Sequence, residues 1–583
     1  MKKQKGVALS LILFVFLFVF LRTCSEYHFY CVEQTQLFIH SWSFISGKLL
    51  EPGGLALVLS ESLVQFFILP NAGALIMAAL LTSLCALTWG LLKRIDPDSH
   101  LFFFAGLPVL CLLFMQWDFN YLTQGTVAFG LMLAALYLSL ALRHPMYRLA
   151  GSLVLSVLLF FLAGPVALLY ALSVWAFEIA SRTPRWYYFL VPLVAVGILG
   201  VLSVYFSWIG EYRFAFLPDG YYYFRLVPDK VIYFSWLSFL LAIVAVGFLR
   251  GKTALAGKKL MVADLLQVVI LAVLFWRGYD VYADQKSYRL KTLEYFARTE
   301  QWDRILEMSR GKIDNQLYAC YLNLALAQKG LLGDEAFRYD QFGPKGLVVA
   351  WNKSSAISAL LSDVYFAMGN VAVAQEKAFE SNIGALCDGN PRMIKRLVQT
   401  NLIYGVYPVA EKYIALLEKT YYYKDWAHAQ RQFLYNDEAV LRDPLLGKMR
   451  GCLLSEDQLS QSGRFDNELM RIAEQNPSNP TALHYLGVFY LLAKDIGGFE
   501  KLIEDSYGTK LLPVLPVSFQ EAIIISSEKE PEKWKRFGVS ESIVRRFTAY
   551  KQQVLAGRNN SSALPGLMYR SYGDTYWYYY MFK

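Results

Sequence analysis

Several motifs that mark soluble enzymes are missing from this sequence. It has no HExxH helix for a catalytic zinc, no GxSxG turn for a nucleophilic serine and no GxGxxG loop for a dinucleotide. Its seven cysteines include no CxxC pair, which excludes a zinc finger or a thioredoxin-like redox site. Cys24 and Cys31 are close in the sequence, and their spacing fits either a disulfide or two free thiols.

A concentration of positive charge is also missing from the second half of the chain. The net charge is +9, but residues 277–583 carry 38 Lys and Arg against 35 Asp and Glu. A surface that binds nucleic acid needs a basic stripe to neutralise phosphates. The near balance of charges therefore excludes nucleic acid as an expected partner.

Long apolar runs are abundant, but only before Arg277. Hydrophobic residues make up 56% of the chain and charged residues 18%, a balance that membrane spans explain. We predict an all-α protein with a membrane domain, residues 1–276, and a soluble helical domain, residues 277–583. Nine spans are predicted near residues 7–21, 72–92, 101–117, 125–142, 149–163, 166–180, 186–208, 231–249 and 260–276.

The positive charges between these spans predict the orientation of the chain, because cytoplasmic loops of membrane proteins are rich in Lys and Arg. One side of the nine-span arrangement carries 13 of these residues: Lys2, Lys3, Lys5, Lys93, Arg94, Arg143, Arg148, Arg182, Arg185, Arg250, Lys252, Lys258 and Lys259. The other side carries five: Arg22, Lys48, Arg213, Arg225 and Lys230. We therefore expect a cytoplasmic N-terminus and an extracytoplasmic second domain.

Two apolar segments leave the number of spans open. Residues 54–69 include Ser60, Glu61 and Gln65, so a helix lying in the membrane interface is favoured over a span. Residues 149–180 are interrupted at Gly164-Pro165, which favours a hairpin of two short spans. The alternative, one kinked span, would place the second domain in the cytoplasm.

The second domain has the spacing of paired helices. Leu361, Tyr365 and Gly369 are followed by Ala374 and Ala378, and Gly405 is followed by Ala410 at the same five-residue step. A second match reads Leu486-Gly487-Val-Phe-Tyr490. Residues 279–508 therefore resemble tetratricopeptide repeat (TPR) proteins, whose small residues lie where two helices touch. The resemblance implies a concave surface that binds a protein partner or the membrane domain. The alternative is that the second domain is a rigid cap that binds no ligand.

The first loop predicted to be extracytoplasmic contains Glu33 about a dozen residues after the first span, and Asp118 lies in the second such loop. This order resembles glycosyltransferases of the GT-C class, which use polyprenyl-phosphate sugars. The resemblance implies that Glu33 and Asp118 are catalytic, as a base or as a cation ligand. The chain departs from the paired acids of that class, because Gln34 follows Glu33.

The third such loop is rich in aromatic residues and arginine. Arg213, Tyr222 and Arg225 are candidates to bind a sugar phosphate, together with Lys48 in the first loop. An aromatic belt at the membrane interface is the favoured alternative for the third loop. No residue is assigned as a metal ligand, and a divalent cation remains an open alternative for the cofactor.

Three features of the chain are distinctive: Glu33-Gln34-Thr-Gln36-Leu-Phe, the Pro52-Gly53-Gly54 turn and the Tyr576-Trp-Tyr-Tyr-Tyr580 ending. With them the chain resembles an uncharacterised family of bacterial multi-span membrane proteins with a TPR-like second half, and the resemblance implies a location in the bacterial inner membrane. For the aromatic ending we expect packing onto the second domain rather than docking at lipid headgroups. Two functions follow as hypotheses: a GT-C-like glycosyltransferase that uses a lipid-linked sugar, and a non-catalytic membrane-anchored scaffold for an envelope assembly.

Overall fold

The structure is a computed structural model that describes residues 2–251, 257–454, 465–476, 479–557 and 562–583. Lys252, one of the charges used above for orientation, lies outside these residues. The protein is all-α: 74% of it is helical, and no strand occurs in the described ranges. The chain divides into two compact units. Unit 1 contains residues 1–289, 386–388 and 419–422, and unit 2 contains residues 290–385, 389–418 and 423–583.

The helices of unit 1 follow the apolar runs of the sequence. They are α1 Lys2–Cys24, α2 Glu26–Glu33, α3 Trp42–Leu49, α4 Gly54–Val64, α5 Ala72–Ile95, α6 Phe103–Met115, α7 Gln124–Ala141, α8 Pro145–Ala163, α9 Val166–Ala180, α10 Val191–Tyr205, α11 Tyr212–Phe216, α12 Val231–Phe248 and α13 Gly257–Tyr282. The boundary between the units falls within α14, Gln285–Arg298. Short 3₁₀ turns at Gln65–Ile68 and Trp186–Leu190 extend α4 and precede α10.

A helix covers most of each of the nine segments predicted to span the membrane. Seven helical segments of the described chain are long and apolar enough to cross a bilayer, whereas α6 and α9 are shorter. In the most apolar stretches of α1 and α13, only 11% and 6% of the residues are buried within the protein. Apolar surface of that extent is unfavourable in water, so these helices have the character of lipid-facing segments. The number of spans remains a prediction.

Residues 149–180 form two helices, because the chain turns at Gly164. This glycine has a positive φ of 80°, which other residues rarely adopt, and Pro165 follows it at the start of α9. Helices α8 and α9 pack against each other, and the buried carboxylate of Glu178 on α9 pairs with Arg148 on α8 at 2.6 Å. The residues therefore adopt a helical hairpin.

The helices of unit 2 are shorter and packed in pairs. They are α15 Trp302–Met308, α16 Gln316–Gln328, α17 Leu332–Glu335, α18 Ser355–Met368, α19 Val371–Ile383, α20 Pro391–Tyr404, α21 Tyr407–Leu417, α22 Lys424–Gln430, α23 Asp437–Arg442, α24 Leu446–Arg450, α25 Phe465–Gln475, α26 Pro480–Ala493, α27 Ile496–Ser506, α28 Val517–Ser526, α29 Pro531–Arg536, α30 Glu541–Ala556, α31 Leu564–Tyr572 and α32 Tyr576–Phe582. Five of them begin after an asparagine whose side chain accepts a hydrogen bond from the first turn, an arrangement that stabilises a helix start: Asn315, Asn370, Asn390, Asn436 and Asn479.

The small residues singled out in the sequence lie where helices meet. Gly369 and Gly405 end α18 and α20 with positive φ, and Ala374 and Ala410 are fully buried. At Gly487 a Cβ atom would stand 2.2 Å from the ring of Phe519, so only glycine fits there. These contacts explain the helix pairs, while the repeat architecture itself remains a prediction.

The aromatic ending of the chain forms α32 and packs inside unit 2. Tyr576 and Trp577 are fully buried. The indole N–H of Trp577 donates to the Glu521 carbonyl at 2.9 Å, and the Tyr579 hydroxyl donates to the Leu492 carbonyl at 3.0 Å. Residues 576–579 are therefore part of the core, as expected from the sequence, whereas Tyr580 is exposed.

Candidate functional site

Two loops of unit 1 that are distant in sequence are joined by a short backbone bridge. Tyr121, between α6 and α7, pairs antiparallel with Tyr222, between α11 and α12. The Leu122 N–H donates to the Tyr221 carbonyl, and the Tyr223 N–H donates to the Asn120 carbonyl, both at 3.0 Å. This bridge brings the second and third of the loops predicted to be extracytoplasmic into direct contact.

The bridge positions the carboxylate of Asp118. Its Oδ1 accepts hydrogen bonds from the backbone N–H of Asn120 at 2.9 Å and from the amide of the same residue at 3.2 Å. Its Oδ2 accepts a hydrogen bond from the Tyr222 hydroxyl at 2.6 Å. Burial, together with the neighbouring Asp118, raises the pKa of Tyr222, so this hydroxyl stays protonated and donates. Both oxygens of a partly exposed carboxylate are therefore held in place.

The two arginines of the third loop have different surroundings. Arg213 pairs with Glu211 at 2.7 Å and donates to the Phe224 carbonyl at 3.1 Å, which ties the loop together. Arg225 is exposed, and its guanidinium lies 5.2 Å from the ring centre of Phe224. Among the described residues no carboxylate pairs with Arg225. It therefore has donors available for an anion, whereas Arg213 is engaged within its own loop.

Glu33 is buried at the end of α2. Its carboxylate accepts a 2.5 Å hydrogen bond from the side-chain amide of Gln34, the residue that replaces a second acid in the glycosyltransferase pattern. The following residues form a parallel bridge between Gln36 and Cys387. The Cys387 N–H donates to the Thr35 carbonyl at 3.0 Å. Residues 386–388 thus belong structurally to the first predicted loop of unit 1.

Lys48 lies in an ionic cluster beside this bridge. Its ammonium group donates to both carboxylate oxygens of Glu61 and to the carboxylate of Asp388. The Cys387 thiol also hydrogen-bonds to Glu61. Burial, only partly opposed by Lys48, raises the pKa of Glu61 to about 7. Burial lowers the pKa of Lys48, but the two carboxylates outweigh it and the net direction is upward. We refer to Lys48, Glu61, Cys387 and Asp388 as the lysine cluster.

The turn between α8 and α9 is where the loops meet. The Tyr221 hydroxyl donates to the Ala163 carbonyl at 2.5 Å and accepts from the Val166 N–H at 3.1 Å. Gly53 of the first loop donates its N–H to the Phe161 carbonyl at 2.8 Å. The Gln124 amide, at the start of α7, donates to the Gly53 carbonyl at 3.2 Å. Four connecting segments of unit 1 therefore form one hydrogen-bonded assembly.

Comparison with known families identifies the chain. A family model matches residues 2–583. The chain belongs to DUF6057, a family of unknown function. No curated protein and no solved structure matches it. Membership of DUF6057 agrees with the uncharacterised family that the sequence resembles, and it assigns no reaction to the site.

The structure brings some of the candidate residues of this DUF6057 protein together. Asp118 and Tyr222 are hydrogen-bonded, Lys48 donates to Asp388, and Thr35, two residues after Glu33, accepts a hydrogen bond from the Cys387 N–H. In the part of the chain that the structure describes, no three His, Cys, Asp or Glu side chains form a potential metal site.

Sequence reasoning did not single out Cys387, Asp388 or Tyr221 as site residues. Glu61 was noted only as part of a polar face, although a carboxylate in an apolar run is itself a signal of a buried partner. No local pattern distinguishes Cys387 or Asp388, because their role depends on a contact with Lys48 across 340 positions of the chain.

Proposed function

We propose that this chain is an integral protein of the bacterial inner membrane, with a cytoplasmic N-terminus and residues 277–583 outside. Contacts within unit 1 support the nine-span topology. The segments assigned to the outer side contact one another around Gly164. Two contacts link segments assigned to the inner side: the Gly251 N–H approaches Asp96 at 3.5 Å, and Arg148 pairs with Glu178. If residues 149–180 crossed the membrane only once, the loops of Tyr121 and Tyr222, which are in contact, would lie on opposite sides.

The topology can be tested by fusing a reporter to the C-terminus of the full chain. We expect active alkaline phosphatase, which requires an extracytoplasmic location, and a non-fluorescent green fluorescent protein. A fluorescent fusion without phosphatase activity would contradict nine crossings and would favour an even number.

Within this topology, the proposed activity is that of a GT-C-like glycosyltransferase that uses a lipid-linked sugar at the outer face of the membrane. The observation that carries the proposal is the positioned carboxylate of Asp118. Its two oxygens are oriented by Asn120 and Tyr222 within the loop assembly, and a partly exposed carboxylate fixed in this way can accept a proton from an acceptor hydroxyl. The exposed Arg225 in the partner loop supports binding of a phosphate leaving group.

Glu33 has a different role in this proposal. Its carboxylate is only 4% exposed and is hydrogen-bonded to Gln34, so it is suited to orienting the first loop rather than to contacting a substrate directly. We therefore assign the proton transfer to Asp118 and a positioning role to Glu33. The glycosyltransferase hypothesis then needs only one catalytic acid at this surface.

The catalytic proposal is tested by gene deletion followed by complementation in the source bacterium. The readout is the profile of lipid-linked sugars and envelope glycans by mass spectrometry. We expect Asp118→Asn to lose about 100-fold or more of the transfer activity, which is the usual contribution of a positioned acid or base. Asp229→Asn, which alters an exposed acid of the third loop, is the matched control and should complement fully. Full complementation by Asp118→Asn at equal membrane levels would refute this assignment.

The helix pairs of unit 2 favour a second candidate, a membrane-anchored scaffold without catalysis. Helix α18 packs against α19, and α20 packs against α21. In TPR-like proteins, helix pairs of this kind stack side by side and together form the surface that binds a partner. Under this function, in-cell cross-linking of the full chain should capture a defined envelope protein in stoichiometric amount, and Asp118→Asn should be silent. A chain that cross-links to no partner while Asp118→Asn abolishes a glycan would exclude the scaffold.

A further inference from the structure

A group of cationic side chains in unit 2 is separate from the loops described above. Arg392, Lys395 and Arg396 are spaced i, i+3 and i+4 on α20, so they share one face of that helix. Arg298, at the end of α14, joins them. We call these four residues the basic cluster. All four lie in unit 2.

Two carboxylates neutralise part of the basic cluster. Arg392 pairs with Glu294 at 2.9 Å and also with Asp363. Arg396 pairs with Asp363 at 3.1 Å, and Arg298 approaches Glu294 at 3.7 Å. The guanidinium groups are thus held in fixed positions by acids that they share.

Lys395 has no such partner among the described residues. Its ammonium group lies 4.6 Å from the ring centre of Trp426, a contact that stabilises a cation without neutralising it. Burial lowers the pKa of Lys395, and Arg298, Arg392 and Arg396 lower it further. Glu300 raises the pKa of Lys395 from a distance, without forming an ion pair with it. Lys395 therefore lies in a field of excess positive charge.

Arg396 provides a second donor without a partner. Its guanidinium stacks at 3.7 Å from the ring centre of Phe366, and its Nε is buried with no hydrogen-bond acceptor in the described ranges. A buried N–H group usually has a partner, because leaving it unsatisfied costs about 1–3 kcal/mol. An unsatisfied guanidinium N–H beside an unpaired ammonium group points to an anion that completes the site.

We propose that the basic cluster binds a phosphate group, with Lys395 and Arg396 as its principal ligands. The terminal nitrogens of Arg396 donate to Gln399 and Asp363, so its Nε–H is the donor left for a phosphate oxygen, and Lys395 adds a point charge. Two sources share this chemistry: a soluble phosphate monoester and the headgroup of an anionic lipid. The proposal does not depend on the glycosyltransferase activity, since none of these residues belongs to the loop assembly of unit 1.

The test uses the full chain in nanodiscs and inorganic phosphate as the soluble probe. Isothermal titration calorimetry should show saturable phosphate binding, and Lys395→Ala should weaken it at least tenfold. Lys412→Ala removes the same charge from an exposed position on the neighbouring helix α21, so it should change the affinity less than twofold. Equal affinity in Lys395→Ala and the unsubstituted chain would overturn the proposal.

Chemical labelling of the unsubstituted chain gives a readout that does not depend on how a variant folds. Lys395 should react with an acetylating reagent at pH 7.5 faster than Lys412, and inorganic phosphate should slow its labelling at least fivefold. Nanodiscs that contain phosphatidic acid instead of phosphatidylcholine test the lipid source. Protection by phosphate alone assigns a soluble ligand, and protection only by phosphatidic acid assigns a lipid headgroup. Labelling that neither phosphate nor phosphatidic acid slows would refute the site.

Discussion

The Tyr222 hydroxyl donates a 2.6 Å hydrogen bond to Asp118 across 104 positions of the chain. If Asp118 accepts a proton during sugar transfer, this bond orients the carboxylate for it. Tyr222→Phe removes the bond and keeps the ring. We expect activity to fall about 10-fold, less than for Asp118→Asn, because Asn120 still holds the other oxygen. The measurement is the glycan profile in complemented cells. Tyr223→Phe, in the same loop, is the control and should have no effect.

Lys48 should be essential for the stability of unit 1. Replacing it with methionine leaves the buried Glu61 beside Asp388 without a cation, and removing one partner of a buried ion pair usually costs about 3–5 kcal/mol. Because the pKa of Glu61 is about 7 even with Lys48 present, protonation relieves the defect at low pH. Thermal unfolding in detergent should therefore show a larger loss at pH 8 than at pH 5.5. The double variant Lys48→Met with Glu61→Gln should recover much of the stability at pH 8, and no recovery would contradict the electrostatic explanation.

Tyr221 should stabilise the break between α8 and α9. Its hydroxyl satisfies the Ala163 carbonyl and the Val166 N–H at a turn where the helical hydrogen bonds are interrupted. Tyr221→Phe leaves both backbone groups unsatisfied, at a cost of about 1–3 kcal/mol. We expect a lower unfolding temperature and a smaller yield of folded protein in detergent. Tyr212→Phe, at an exposed position of α11, serves as the control. Equal unfolding temperatures for the two variants would show that the hydroxyl has no structural role.

Glu521 should make the C-terminal part of unit 2 sensitive to alkaline pH. Burial raises its pKa to about 8, although the carboxylate accepts a 2.7 Å hydrogen bond from the Tyr576 N–H. A raised carboxyl pKa means that the folded state holds a proton more tightly than the unfolded state. Stability therefore falls as pH rises from about 4.5 through 8, by an amount on the order of 5 kcal/mol.

Limited proteolysis of α30–α32 at pH 6 and pH 9 measures this effect. The unsubstituted chain should be cleaved faster at pH 9, and Glu521→Gln should remove most of the difference because a neutral amide keeps the hydrogen-bond acceptor. Glu528→Gln, at a half-exposed acid, should leave the pH dependence unchanged. If Glu521→Gln were still cleaved faster at pH 9 than at pH 6, the pH dependence would come from a group other than Glu521.

Local patterns in the sequence were sufficient to predict that the protein is all-α and where its apolar segments lie. A helix forms wherever residues of high apolar content and helical spacing follow one another, so the nine segments and the turn at Gly164-Pro165 are readable without a structure. The asparagine caps and the glycines after α18 and α20 act within a few residues, which makes the ends of these helices predictable as well.

The tertiary structure alone decided which polar groups meet. Lys48 reaches Asp388 over 340 positions, and Asp118 reaches Tyr222 over 104. Such pairs depend on the path of the chain in space, and neither partner carries a local signal of the other. Helices and their ends are determined by interactions between neighbours in sequence, whereas the charge state of Glu61 and the orientation of Asp118 result from burial and from distant donors.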